Sequence, residues 1–531
     1  MSLSIKDLQA LGVRRIQGCF LGLSLALVTF IPVWGEVDGE TRRRMIDEFE
    51  ATNRAAHRLK VAIPVSDTPT QEGGFEPLKQ ALAEARLRLL EDRSEATKAA
   101  VAQATINFVD PLMRLEHYNE AASAIKLSLR AIGAEDLLGK RLADCTLAES
   151  KRVLEAGDWE AAKRLLEKGL RETRTARVKS AEELIARSLK DLLLDDAARH
   201  FREGDWDKSR KQALEALTLR VGQPPIRALL AALSFQRDDY KEALKQNAIA
   251  LQGKYHRDPL YLGFGELIRK EYELERSYRK HVGKDLVLTR PASFSVNEHQ
   301  WESAFGKARR AASRVFGLSC ASPIRVSFYQ RSDYFRFTGA PDWSGVVSQG
   351  SKVRLRADAG RGGAKGAEVI ARYATALWLI DLRSGGRAPA WLKEGVAHQL
   401  AYPAGPPNGA IHELKSRLGR GKILPFKDIE KELVGIRDWE DAAVVMAQSQ
   451  MAVQLLAEKH GLECFPAILQ ALATEERAEM ALLEVTGFNY DDLFAAWSEK
   501  MKEHFLTNEF PDIPTLRALG RASPLGAYWE E

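Results

Sequence analysis

From about residue 40 to about residue 270 the pattern of apolar and polar positions reads as helix after helix, interrupted by short polar turns. Past Lys280 the helical character fades. Residues 285–290 and 293–296 look extended, an amphipathic helix is expected near 302–315, and 323–329 alternates apolar and polar residues as a half-buried strand does. Residues 346–347 and 353–356 predict further strands around a turn at Gly350. From 367 to about 506 the pattern is helical again, and 367–382 is apolar almost all round, which predicts a buried helix. The tail, 506–531, is weakly patterned and expected to be extended. The fold class this predicts is mostly α, α+β overall, with a small sheet placed between two helical parts.

Within the first helical part a loose internal repeat is visible. An aromatic residue follows a short turn, a small residue lies three on, and another small residue lies ten on: Tyr118/Ala121/Ser128, Trp159/Ala162/Gly169, Trp206/Ser209/Ala216 and Tyr240/Ala243/Ala250. Gly157-Asp158-Trp159 and Gly204-Asp205-Trp206 share a fuller form. The physics is that of a helical hairpin, in which glycine and aspartate permit the turn, the aromatic plugs the gap and the small residues allow close approach. The pattern resembles the tetratricopeptide repeat over roughly residues 75–255, and Trp206 and Tyr240 are spaced by that family's 34 residues. The earlier intervals of 41 and 47 imply longer helices. The resemblance implies a helical solenoid over 40–275.

Composition adds a compartment. The chain has 531 residues, 45% hydrophobic and 28% charged, with a net charge of +5 from 78 basic and 73 acidic residues. That balance offers no concentrated basic face for nucleic acid. Four scattered cysteines without a C-x-x-C pair argue against a zinc knuckle or a disulfide scaffold. Arg14 and Arg15 precede an apolar run over 19–34, with Glu36, Asp38 and Glu40 after it. Residues 1–35 therefore read as a secretory signal peptide, and the length of the run also fits a retained membrane anchor. The expected location is exported: periplasmic, cell-envelope or secreted.

The chemistry concentrates in 369–397. Val369-Ile-Ala-Arg-Tyr-Ala-Thr-Ala-Leu-Trp378 is followed by Pro389-Ala-Trp-Leu-Lys-Glu-Gly-Val-Ala397, and later by Met446-Ala-Gln-Ser-Gln450 and Asn489-Tyr-Asp-Asp-Leu-Phe-Ala-Ala-Trp497. Over residues 284–505 this order resembles the gluzincin metallopeptidases, in particular the peptidase MA-like domains found behind tetratricopeptide repeats in exported bacterial proteins. In that family a helix carries H-E-x-x-H, whose two histidines bind zinc and whose glutamate activates water, and a glutamate in P-x-W-L-x-E-G-x-A is the third ligand. The resemblance places Arg372 at the first ligand, Tyr373 at the water-activating position, Ala376 at the second ligand and Glu394 at the third. Met446 stands where relatives often carry a tyrosine. Arginine is a permanent cation without an acceptor, and alanine has no donor atom. The implied domain is a catalytically dead peptidase fold without cofactor. Arg372, costly on a buried helix unless paired, is expected to pair with Glu394 and supply the charge zinc would have supplied.

The rival is a metallohydrolase with rearranged ligands, holding zinc through Glu394, His398 and His412. His398 follows Glu394 by four residues on one helix face, but His412-Glu413 lacks the second histidine of H-E-x-x-H. Neither Asp342-Trp343-Ser344-Gly345 nor Cys320 or Cys464 has a nucleophile frame, and the loop 360–366 lacks the order of a phosphate loop. The expected function is non-enzymatic binding or scaffolding of a protein or peptide in the bacterial cell envelope. The former cleft, with Trp343 and Tyr402 as candidate walls, would hold an extended segment along an edge strand.

Overall fold

The structure is a computed structural model that describes residues 75–507 apart from 253–255, 342, 359–362, 407, 437 and 476. The expected signal or anchor at 1–35, Cys19, Asp342 and nearly all of the 506–531 tail lie outside the described residues. Among the described residues no helix is long and apolar enough to cross a membrane. They are mostly helical, with one small mixed sheet. They fall into two compact units, residues 75–196 with 211–226, and residues 197–210 with 227–507. Residues 227–275, which the repeat pattern groups with the helices before them, pack within the second unit.

The first unit opens with α1 (Phe75–Glu91), α2 (Glu95–Arg114), α3 (Tyr118–Ile132), α4 (Asp136–Glu155) and α5 (Trp159–Thr175). The chain continues through α6 (Lys179–Glu203), α7 (Trp206–Thr218) and α8 (Gln223–Gln236), then α9 (Tyr240–Ala250) and α10 (Pro259–Glu275). All four aromatic positions of the repeat are the first residue of a helix. The turn is built as expected before three of them; before Trp159, Gly157 adopts φ +87° and the Asp158 side chain caps α5 by accepting from the Ala161 N–H at 2.9 Å, whereas before Tyr118 the residues are Glu116 and His117, with no side-chain cap. The small residues lie in the seams, with Ala121, Ala162, Ser209 and Ala243 all fully buried. A Cβ on Gly169 would collide with the Thr146 methyl, so α4 and α5 approach as closely as they do only because none is present. The aromatic plug holds for Trp206 and Tyr240, which are buried, whereas Tyr118 and Trp159 stay half-exposed.

The sheet of the second unit runs β1 (Arg279–Val282), β2 (Leu286–Arg290), β3 (Ile324–Tyr329), β5 (Lys352–Arg356), β4 (Val346–Gln349) across its width. Its three inner strands are parallel and both edges antiparallel. Residues 293–296, expected to be a strand, form none. A turn with Phe294 N–H on the Pro291 carbonyl leads instead into the Asn297 cap of α11 (Glu298–Phe316). β1 was not legible as a strand, because as an exposed edge it carries no apolar alternation. The expected turn at Gly350 is a two-residue hairpin with Gly350 at φ +62° and Ser351 at φ +59°, the pair of left-handed residues that matches strand twist.

β3 and β5 are buried on both faces, so the strand expected over 323–329 is not half-buried as its alternation predicts. One face carries Leu288, Val326, Phe328, Val353 and Leu355 and packs on α11 and α13 (Gly363–Ser384), with the Trp301 and Phe328 rings 5.2 Å apart. The other carries Lys352, Arg354, Ser327 and Tyr329, and is covered by α12 (Arg331–Thr338), α9 and α10. There Glu271, with no exposed surface, accepts from Lys352 Nζ at 2.6 Å and from Arg354 at 2.5 Å. Lys352 also reaches Asp238 at 2.8 Å, and the Tyr240 and Tyr329 hydroxyls each donate to Glu275 at 2.6 Å. Burial opposes ionisation of Glu271, yet Arg354 and Lys352 outweigh it and hold its carboxyl below the usual range. For Glu275 burial, reinforced by the Glu271 charge, raises it.

Candidate functional site

The site lies where α13 meets α14 (Ala390–Ala401) and α14 meets α17 (Trp439–His460), all within the second unit. α13 is buried along most of its length, as its pattern predicts, and the Trp378 indole N–H ties it to the Ser351 carbonyl at 2.9 Å. α14 presses on α17 so closely at Gly395 that any Cβ there would be driven into the Ser449 carbonyl, which is the physical reason for glycine after Glu394. Gln450 locks the contact, donating to the Gln399 side chain at 3.1 Å and to the Tyr402 carbonyl at 2.9 Å. Trp391 is the aromatic anchor of α14, buried 5.2 Å from Phe426 on α16 (Phe426–Gly435).

Glu394 does not pair with Arg372. The Tyr373 hydroxyl donates to Glu394 Oε2 at 2.6 Å, and among the described residues no lysine or arginine nitrogen lies within ion-pair distance of that carboxylate. One residue along a helix turns a side chain about 100°, so with Tyr373 facing α14, Arg372 is carried round the helix. It remains half-exposed and acts on Glu368, the residue one turn before it. The neighbouring Lys393 is engaged by Asp381 at 2.8 Å. Ala376 is buried and contributes packing only.

His398, four residues after Glu394, brings Nε2 to 3.9 Å from Glu394 Oε2. Its ring meets Tyr373 edge-on at 5.2 Å and stacks on Tyr402 at 5.8 Å. His398 is 5% exposed, and its Nε2 has no hydrogen-bond partner. Burial, offset in part by the Tyr373 hydrogen bond, pushes the Glu394 carboxyl up to about 7, and burial pushes the His398 imidazole down to about 4. The carboxyl thus holds its proton to higher pH than a free glutamate does, and the imidazole beside it is neutral at neutral pH. A narrow cavity continues past His398, bounded by Tyr402, Pro406, Trp439, Met446 and Gln450.

The remaining candidates are not gathered here. His412 is exposed on α15 (Asn408–Gly419), and among the described residues no three His, Cys, Asp or Glu side chains converge where they could hold a metal ion. Trp343 is a buried plug whose indole N–H donates to the Ile436 carbonyl at 3.0 Å, so it is no open wall, whereas Tyr402 does line the cavity. The residues at the zinc positions of the resemblance do not fit that ion. Arg372 and Ala376 offer no lone-pair donor, which leaves Glu394 as the one ligand-type side chain of the three. Sequence reasoning passed over Tyr373, which was read as a lost base, not as a partner for Glu394. The signal was its place one residue along the same helix. Comparison with protein-family models, with curated proteins and with solved structures finds no match to this chain.

Proposed function

We propose that the chain is an exported bacterial pseudo-peptidase, in which a tetratricopeptide-like repeat scaffold precedes a peptidase MA-like domain that binds a protein or peptide without catalysis. The observation that carries this reading is the Tyr373–Glu394 hydrogen bond of 2.6 Å. It joins the two helices a gluzincin would bridge with zinc, and it does so with a neutral donor. A side chain takes over the mechanical role of the ion and leaves no Lewis acid to activate water.

Binding chemistry is supported by β4. The hairpin register directs the backbone groups of Val347 and Gln349 toward β5, so the N–H and C=O of Ser348, on the outermost strand, point away from the sheet, the direction from which strand addition comes. The test is metal analysis of the purified full chain with a peptidase assay. Expected are substoichiometric zinc and no chelator-sensitive cleavage. Stoichiometric zinc that disappears in Glu394→Ala would overturn the reading in favour of a metallohydrolase with rearranged ligands.

A further inference from the structure

A buried carboxylate normally carries a cation or several strong donors, because leaving its charge uncompensated in a low-dielectric site is costly. Glu394 has one hydroxyl. The cation expected from the sequence, Arg372, is turned away, and Lys393 is committed to Asp381. Its side chain keeps 13% of its surface exposed.

A second observation points the same way. His398 Nε2 is buried without a partner and faces Glu394 Oε2 across 3.9 Å. Two acceptors at that separation are bridged by one nitrogen about 2.9 Å from each. The neutral imidazole offers its lone pair, provided Nδ1 carries the ring proton. The imidazole is held between two aromatic rings, Tyr373 edge-on at 5.2 Å and Tyr402 stacked at 5.8 Å.

We infer that Glu394 and His398 together form a receptor for one cationic nitrogen group of a bound partner, a primary ammonium. The inference rests on the proposed reading of this domain as a non-catalytic protein- or peptide-binding module, and it names one chemical group such a partner would present. An ammonium can come from a chain terminus or from a lysine side chain, and the same two acceptors serve both.

The test uses the full chain and three peptides in titration calorimetry: tetra-alanine with a free amino terminus, acetyl-Ala-Ala-Lys-Ala-amide, and acetyl-Ala-Ala-norleucine-Ala-amide as the neutral control. At least one of the two cationic peptides should bind about tenfold tighter than the control. That advantage should vanish in Glu394→Gln, while thermal unfolding shows the variant still folded. The peptide that carries the advantage identifies the source. Equal binding of all three, or an advantage untouched by Glu394→Gln, overturns the ammonium site and leaves peptide binding standing. Should no peptide bind, n-butylammonium is titrated while the His398 ring signals are followed by NMR. A shift lost in Glu394→Gln keeps the cation site and removes the peptide reading, and no shift removes both.

Discussion

Tyr373 and Glu394 sit on different helices, and a single hydroxyl stabilises a carboxyl that burial would otherwise leave bare. Tyr373→Phe should therefore cost about 1–3 kcal/mol in urea unfolding, the range for orphaning a buried acceptor. The loss should be larger at pH 8 than at pH 6, because the ionised carboxyl misses its donor more. Acid–base linkage gives a second expectation. With the Glu394 carboxyl moved from 4.5 to about 7, the folded chain keeps a proton that the unfolded chain releases, so stability falls as pH rises through that window, by about 3 kcal/mol in all. His398, moved from 6.5 to about 4, acts oppositely: its contribution is complete above pH 6.5 and is lost as pH falls toward 4. The two slopes oppose one another between pH 4.5 and 6.5. Glu394→Gln should be more stable than the parent at pH 8 and lose stability more steeply on acidification, as denaturant curves at pH 5, 6 and 8 would register. A flat difference across those pH values would contradict the assignment.

At the scale of elements, the covered polar face of the sheet decides most. Lys352, Arg354 and Arg356 alternate along β5 with Val353 and Leu355, a pattern that on its own describes a strand with one wet face. Lys352 and Arg354 are buried because α10 brings Glu271 over them, and Arg356 because Asp358 and the Phe335 ring of α12 cover it. Glu271→Gln removes the one carboxylate that answers Arg354 and leaves Lys352 only Asp238, which should cost about 3–5 kcal/mol, measured by chemical denaturation. Helix α13 was legible because a helix apolar on every side has only one stable place, inside. The partner of Glu394 was not, because choosing between Arg372 and Tyr373 takes a helix rotation that sequence spacing leaves open. The strand at 293–296 failed for a related reason: a short extended run beside a proline fits a turn and helix cap as well as a strand.

For the molecule as a whole, these contacts set where an independent folding piece can begin. A fragment covering 197–507 retains Asp238, Tyr240, Glu271 and Glu275 and should unfold cooperatively in thermal denaturation. One covering 284–507 exposes the cationic face of β5 and should not fold, and cooperative unfolding of that shorter piece would show the ion network to be dispensable. What the sequence determined by itself was local and periodic: helical character, the aromatic-led turns, the buried helix over 367–382, the hairpin at Gly350 and the lack of metal donors at 372 and 376. Each follows from interactions between residues a few positions apart, or from the atoms a side chain owns. The tertiary structure decided which face of the sheet is dry, which residue answers Glu394, and where the second unit starts. Those outcomes depend on charges and hydroxyls brought together from as many as 114 positions away, as between Asp238 and Lys352, and only packing chooses among such partners.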